Sequence, residues 1–151
     1  SYGHRRVNNL KELFEISDTI SIHCPLDEKT EGIINKSILF HAKKSLLLIN
    51  TARGKIINLE DLYHALKDNI ISGAALDVFP IEPPSNSEPL IKAYMNNESW
   101  LTGRFTLTPH AAYYSPPGLE DLRSKAVKTI VEYIKNGNLR NCQNIKYLNL
   151  G

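Results

Sequence analysis

The chain has 151 residues, 42% of them apolar, with 18 lysines and arginines against 16 aspartates and glutamates, for a net charge of +2. That size suits one ordinary domain. The near-neutral balance, with scattered cations, points away from a nucleic-acid partner or a membrane surface, and no apolar run approaches the roughly 20 residues that cross a bilayer.

The first residues, Ser1 to Arg6, are polar and show no secretory pattern. Cys24 and Cys142 lie far apart, which fits reduced thiols in an intracellular, cytoplasmic protein. Two matches to the glycosylation pattern, at Asn35 and Asn97, read as chance without a secretory signal. The chain opens on Ser1 and its single methionine is Met95, so the expectation is a processed chain or a fragment of a longer one.

Residues 1–8 are polar and without period. Leu10, Leu13 and Phe14 form a short helical stripe that Ser17-Asp18 ends. Thr19 to His23 reads as a strand closing at Cys24-Pro25, and a polar loop follows from Asp27 to Glu31. Asn35 suits the N-cap of a short helix through Phe40. Leu46 to Ile49 is then apolar without a break and stops abruptly at Asn50-Thr51-Ala52-Arg53-Gly54. A short run of that kind is the pattern of a parallel strand with helices over both faces.

Asn58 and Asp61 form an approximate capping box. Leu59, Leu62, Tyr63 and Leu66 follow at i, i+3, i+4 and i+7, which predicts a helix with one apolar face. Gly73 to Phe79 reads as the next strand, small at its start. Pro80 to Pro89 is a Pro- and Ser-rich loop, Leu90 to Met95 a helical turn, and Asn96 to Arg104, around Trp100, a polar excursion. Phe105 to Thr108 is a short strand broken by Pro109, and His110 to Tyr114 a loop. Ser115-Pro116-Pro117 is a strong helix start. Leu119, Leu122, Ala126, Val127, Ile130 and Ile134 then mark an amphipathic helix that Gly137 ends.

Strands that alternate with helices predict an α/β fold: a partial Rossmann-type, doubly wound parallel sheet of about four strands, helices on both faces, and a long C-terminal crossover helix. Ligands of open α/β sheets lie at the carboxyl ends of the strands. Three residues suited to catalysis fall there: Arg53, Glu82 and His110. A histidine gives and takes a proton near neutral pH. A carboxylate beside it stabilises its protonated form. An arginine grips a carboxylate or ketone oxygen with a forked pair of hydrogen bonds. Together they suit hydride transfer to a 2-oxo acid, the hydride coming from a cofactor because no side chain supplies one. Each residue alone is more often structural; their shared edge is what argues for a site. Helical His41 and His64 lack a ligand at i+4, His4 sits in the polar start, and no Cys/His cluster has zinc spacing, so no metal is expected.

Four blocks occur in order: His23-Cys24-Pro25-Leu26; Asn50-Thr51-Ala52-Arg53-Gly54; Ala75-Leu76-Asp77-Val78 with Glu82-Pro83; and Thr108-Pro109-His110-Ala111-Ala112. With them the chain, from about Leu10 to Asn144, resembles the D-isomer-specific 2-hydroxy-acid dehydrogenases. The resemblance implies that Arg53 binds substrate, that His110 is the general acid/base and that Glu82 tunes His110. It implies NAD or NADP as cofactor, held by His23, Cys24, Pro25, Leu26, Thr30, Thr51, Ala52, Arg53, Asp77, His110, Ala112 and Tyr113. On this reading residues 1–108 are the carboxyl part of the NAD-binding domain. Residues 109–151 are then the catalytic-histidine loop, the crossover helix and a tail returning toward a substrate domain. The full-length protein would be a homodimer acting on a small 2-hydroxy or 2-oxo acid.

Within the family, His110 to Ser115 and the tail Leu139 to Asn144 resemble the C-terminal-binding-protein branch of transcriptional corepressors, with Tyr113 in the aromatic position after His-Ala-Ala. That implies an alternative: a nuclear, NAD-responsive dimeric scaffold with little or no turnover. No Gly-x-Gly-x-x-Gly occurs in the chain, nor the acidic residue that follows it and holds the ribose. In the family both lie upstream of these blocks. Without that loop the pyrophosphate has no helix N-terminus to sit on, so weak NAD binding is expected of this chain alone. The residue that would separate NAD from NADP, and most of those that would read the substrate, are outside these blocks.

Overall fold

A computed structural model describes residues 3–140, 142 and 144. The chain divides into two compact units, one running through Ala111 and the other from Ala112 onward.

The first unit is built from α1 (Leu10–Ile16), β1 (Thr19–Ile22), α2 (Lys36–Leu39), β2 (Leu47–Asn50), a 3₁₀ turn (Gly54–Ile56), α3 (Leu59–Lys67), β3 (Gly73–Leu76), α4 (Pro89–Met95) and β4 (Phe105–Leu107). Each helix start has a local cause. Asn9 accepts the Glu12 N–H, Asn35 the Ser37 N–H and Asn58 the Asp61 N–H, so three asparagines cap α1, α2 and α3. The capping box expected at α3 is only half formed. The Asp61 carboxylate turns away from its own cap and accepts the Lys36 N–H at 2.8 Å, tying the first turn of α3 to the first turn of α2. The helix at Asn35 is shorter than expected, and His41 lies in the turn that follows it.

The strands form one parallel sheet in the order β1-β2-β3-β4, with Ile22, Asn50 and Leu76 in register across the first three. Leu48 and Leu76 are fully buried and pack with Phe14, Leu62, Leu66 and Phe105 into one core. β1 and β2 alternate, β1 burying Ile20 and Ile22 and exposing Thr19 and Ser21 and β2 leaving Leu47 47% exposed, whereas β3 has no exposed residue. The expected four-stranded parallel α/β sheet with helices is present, and within the first unit α1, α2, α3 and α4 touch in succession.

The excursion Asn96 to Arg104 is anchored to the sheet. Arg104 donates through Nε to the Ser72 carbonyl, and through its two terminal nitrogens to the Trp100 and Ile71 carbonyls, at 2.7–2.9 Å. Leu101 is buried, and Trp100 stacks edge-on against Tyr63 of α3. The segment therefore seals the amino end of β3 and β4, away from the strand ends that carry the predicted site.

The second unit holds α5 (Pro116–Asn136), capped by Ser115 through the Gly118 N–H and closed by Gly137 in the left-handed conformation (φ 65°). Leu122, Val127, Ile130 and Ile134 of its apolar stripe are exposed. Asn141 and Gln143 of the corepressor-like tail lie outside the described residues.

Candidate active site

The carboxyl rim of the sheet is assembled from three successive turns. β1 ends at Ile22 and hands over to a folded loop. His23 Nε2 lies 2.8 Å from Ser21 Oγ, and Cys24, Pro25 and Leu26 are exposed. Thr30 Oγ1 donates to the Pro25 carbonyl at 2.7 Å and accepts the Asp27 N–H at 2.8 Å, which folds the loop back on itself.

β2 ends at Asn50, one of two buried polar residues named in the core. Its side chain works like a piece of backbone: Oδ1 accepts the Ala52 N–H and Nδ2 donates to the Arg53 carbonyl, each at 3.0 Å. Thr51 and Arg53 are thereby held outward on an exposed turn, with the Arg53 guanidinium donating to the Ala52 carbonyl at 2.6 Å.

β3 runs into Asp77, which is 5% exposed. Asp77 Oδ1 accepts the Ala111 N–H at 2.8 Å and the Thr108 hydroxyl, and its carbonyl accepts the His110 N–H at 2.8 Å. These bonds hold His110 at φ 52°, a left-handed conformation that a residue with a side chain adopts at a cost. His110 Nδ1 then meets Glu82 Oε2 at 2.6 Å, while Glu82 Oε1 accepts the Phe79 N–H at 2.9 Å. The His110 hydrogen bond, and after it the Phe79 N–H, hold the Glu82 carboxyl below its usual range. A cavity of about 250 Å³ opens beside this pair, its walls including Asp77, Phe79, Leu107 and Thr108.

Arg53 does not line that cavity, yet the two turns are locked together at Gly54. A Cβ there would stand 1.9 Å from the Phe79 carbonyl carbon and 2.3 Å from Pro80 N, so only glycine lets the Arg53 turn lie against the segment leading to Glu82. Arg53, Glu82 and His110 thus share one rim of one sheet, the last two in direct contact. Of the twelve positions predicted to hold the cofactor, His23, Cys24, Pro25, Leu26, Thr30, Thr51, Ala52, Arg53, Asp77 and His110 lie on this rim. Ala112 and Tyr113 belong to the second unit.

Asn50 and Thr108, which carry much of this geometry, were not singled out by sequence reasoning. An asparagine that ends an apolar run just before a polar turn is a recognisable side-chain turn signal. Nothing local marks the Thr108–Asp77 bond, whose partners come from different strands.

A family model described as the NAD-binding domain of D-isomer-specific 2-hydroxyacid dehydrogenases matches residues 1–112. The chain belongs to this family. A glyoxylate reductase of Korarchaeum cryptofilum is 38% identical to this chain over 123 residues, covering 82% of the chain and 33% of the relative. A D-3-phosphoglycerate dehydrogenase of Haemophilus influenzae is 31% identical over 146 residues, covering 97% and 34%. Among solved structures, a D-lactate dehydrogenase of Aquifex aeolicus complexed with NAD and lactic acid superposes with a TM-score of 0.69 at 32% identity, covering 85% of this chain and 40% of that one. The chain therefore spans between a third and two-fifths of the length of these relatives.

Proposed function

We propose that the protein carrying this chain reduces a small 2-oxo acid to the D-2-hydroxy acid, and the reverse, with NAD or NADP. The observation that carries the reading is the His110–Glu82 pair at 2.6 Å on the same sheet rim as Arg53. The residues present fit a nicotinamide cofactor: a folded loop after β1, exposed Thr51 and half-buried Ala52 after β2, and Asp77 after β3 lie side by side where open α/β sheets take nucleotides. His23 to Leu26, Thr30, Thr51, Ala52 and Asp77 would hold it. Bound there, it supplies the hydride.

The chain's own residues do the rest. An ionised carboxylate only accepts hydrogen bonds, so His110 carries its proton on Nδ1 toward Glu82 and is left with Nε2 for the substrate oxygen. In reduction the doubly protonated imidazole gives its Nε2 proton to the forming alkoxide and stays protonated on Nδ1 toward Glu82; in oxidation Nε2 takes the hydroxyl proton and the ring becomes doubly protonated again. Arg53 binds the substrate carboxylate and draws electron density from the oxo group through its forked donors. The full-length protein would act as a homodimer in the cytoplasm.

The test is oxidation of NADH and NADPH by the full-length protein with a panel of 2-oxo acids. Turnover that disappears in Arg53→Ala and in His110→Ala supports the assigned roles. Wild-type rates in either variant overturn them. Negligible turnover across the panel, with nuclear location and dimerisation that responds to NAD, would favour the corepressor-like scaffold instead.

A further inference from the structure

We propose that Asn50 is the positioning residue of this site: it sets the reach of Arg53 relative to the His110–Glu82 pair. The inference rests on the dehydrogenase reading for the role of Arg53, but the contacts themselves do not depend on it.

Asn50 is 1% exposed and lies in register between Ile22 and Leu76. An amide buried to that degree must have its polar atoms matched. Both side-chain atoms are spent on the turn that ends in Arg53: Oδ1 on the Ala52 N–H and Nδ2 on the Arg53 carbonyl. The Asn50 carbonyl accepts the Asp77 N–H at 2.9 Å, and the Asp77 carbonyl accepts the His110 N–H at 2.8 Å. His110 meets Glu82, Glu82 takes the Phe79 N–H, and the Phe79–Pro80 peptide rests on Gly54, the neighbour of Arg53.

The contacts close into a ring. Starting at Arg53 it passes through Asn50, Asp77, His110, Glu82 and Phe79 and returns at Gly54. Two links of that ring use a side chain to hold backbone, Asn50 on the Arg53 turn and Glu82 on Phe79. Only the Asn50 link holds the turn that carries the guanidinium, and a substitution can cut it while the strand ladder and the His110–Glu82 pair stay intact. Removing it frees the turn that carries the guanidinium and leaves the imidazole–carboxylate pair in place.

The test uses the full-length protein with Asn50→Ala, which loses both bonds, and Asn50→Asp, which keeps the acceptor and loses the donor. The core variant Leu62→Ala serves as a control for general destabilisation. Amide hydrogen exchange is followed over residues 51–54, and oxamate affinity is measured in the presence of NADH. The expected result is exchange at Ala52 at least about tenfold faster in Asn50→Ala and unchanged in Leu62→Ala. Oxamate binding, measured at saturating NADH, should weaken about tenfold in both Asn50 variants, while the exchange of Ala111 holds.

Unchanged exchange at residues 51–54 in Asn50→Ala overturns the proposal. So does a loss of oxamate affinity matched by Leu62→Ala at equal loss of Tm. Where Asn50→Ala does not fold, Asn50→Asp, which loses only the bond to the Arg53 carbonyl, decides by oxamate affinity: wild-type affinity overturns the proposal. Wild-type protein that binds no oxamate sinks the dehydrogenase reading instead, and the exchange measurement then decides alone whether Asn50 holds the Arg53 turn.

Discussion

Gly54 rests against the peptide between Phe79 and Pro80 so closely that a methyl group on its Cα would stand 1.9 Å from the Phe79 carbonyl carbon. The atoms in the way are backbone, which cannot rotate aside. Gly54→Ala must therefore push the β2 and β3 turns apart. The expected cost is on the order of 3 kcal/mol in urea denaturation, with a loss of 2-oxo acid turnover larger than the loss of stability explains. A variant of wild-type stability would show that the two turns are not in contact.

Glu82 gives a pH dependence with a definite sign. Its carboxyl is held below the ordinary range chiefly by His110 and then by the Phe79 N–H. A lowered folded-state value means that the stability it contributes is present above the unfolded value of about 4.3 and is lost as pH falls through the folded value. Thermal melts of wild type and Glu82→Gln should differ most above about pH 5 and converge in more acidic buffer. A gap that is the same at every pH counts against an ionised Glu82 in the folded protein.

His110→Gln removes proton transfer and keeps a side chain of similar reach. Turnover should fall by about 10²–10⁴, with substrate affinity changed far less. Equal losses in both would mean that the imidazole binds rather than transfers a proton.

Arg53→Lys keeps the charge but loses the planar fork. The KM for the 2-oxo acid should rise by about tenfold or more, while the KM for NADH stays within about twofold. A lysine that fully replaces the arginine would show that charge alone is read.

Asn58→Ala tests a part of the fold remote from this chemistry. Asn58 caps α3 by accepting the Asp61 N–H at 3.1 Å. Its loss should cost about 1 kcal/mol and leave kcat/KM unchanged.

Much of this protein was legible in its chain because the causes are local. Asn35, Asn58 and Ser115 announce helix starts by chemistry that reaches two or three residues. Gly137 announces a stop by tolerating a left-handed backbone. The alternation of short apolar runs with helical stripes specifies a parallel α/β sheet, and the carboxyl ends of its strands are then where polar chemistry collects. What the chain alone left open depends on strand order and register. The four strands lie side by side in chain order, which no hydropathy pattern reports. The apolar stripe of α5 is plain in the sequence, but nothing local says which of its residues become covered. The contacts of Asn50, Asp77 and Thr108 join turns of three different strands, and Gly54 matters only because another strand's exit passes over it. Residue types follow short-range rules of propensity and capping. The distances between an arginine, a carboxylate and an imidazole are decided only when hydrogen bonds between non-adjacent segments have been made.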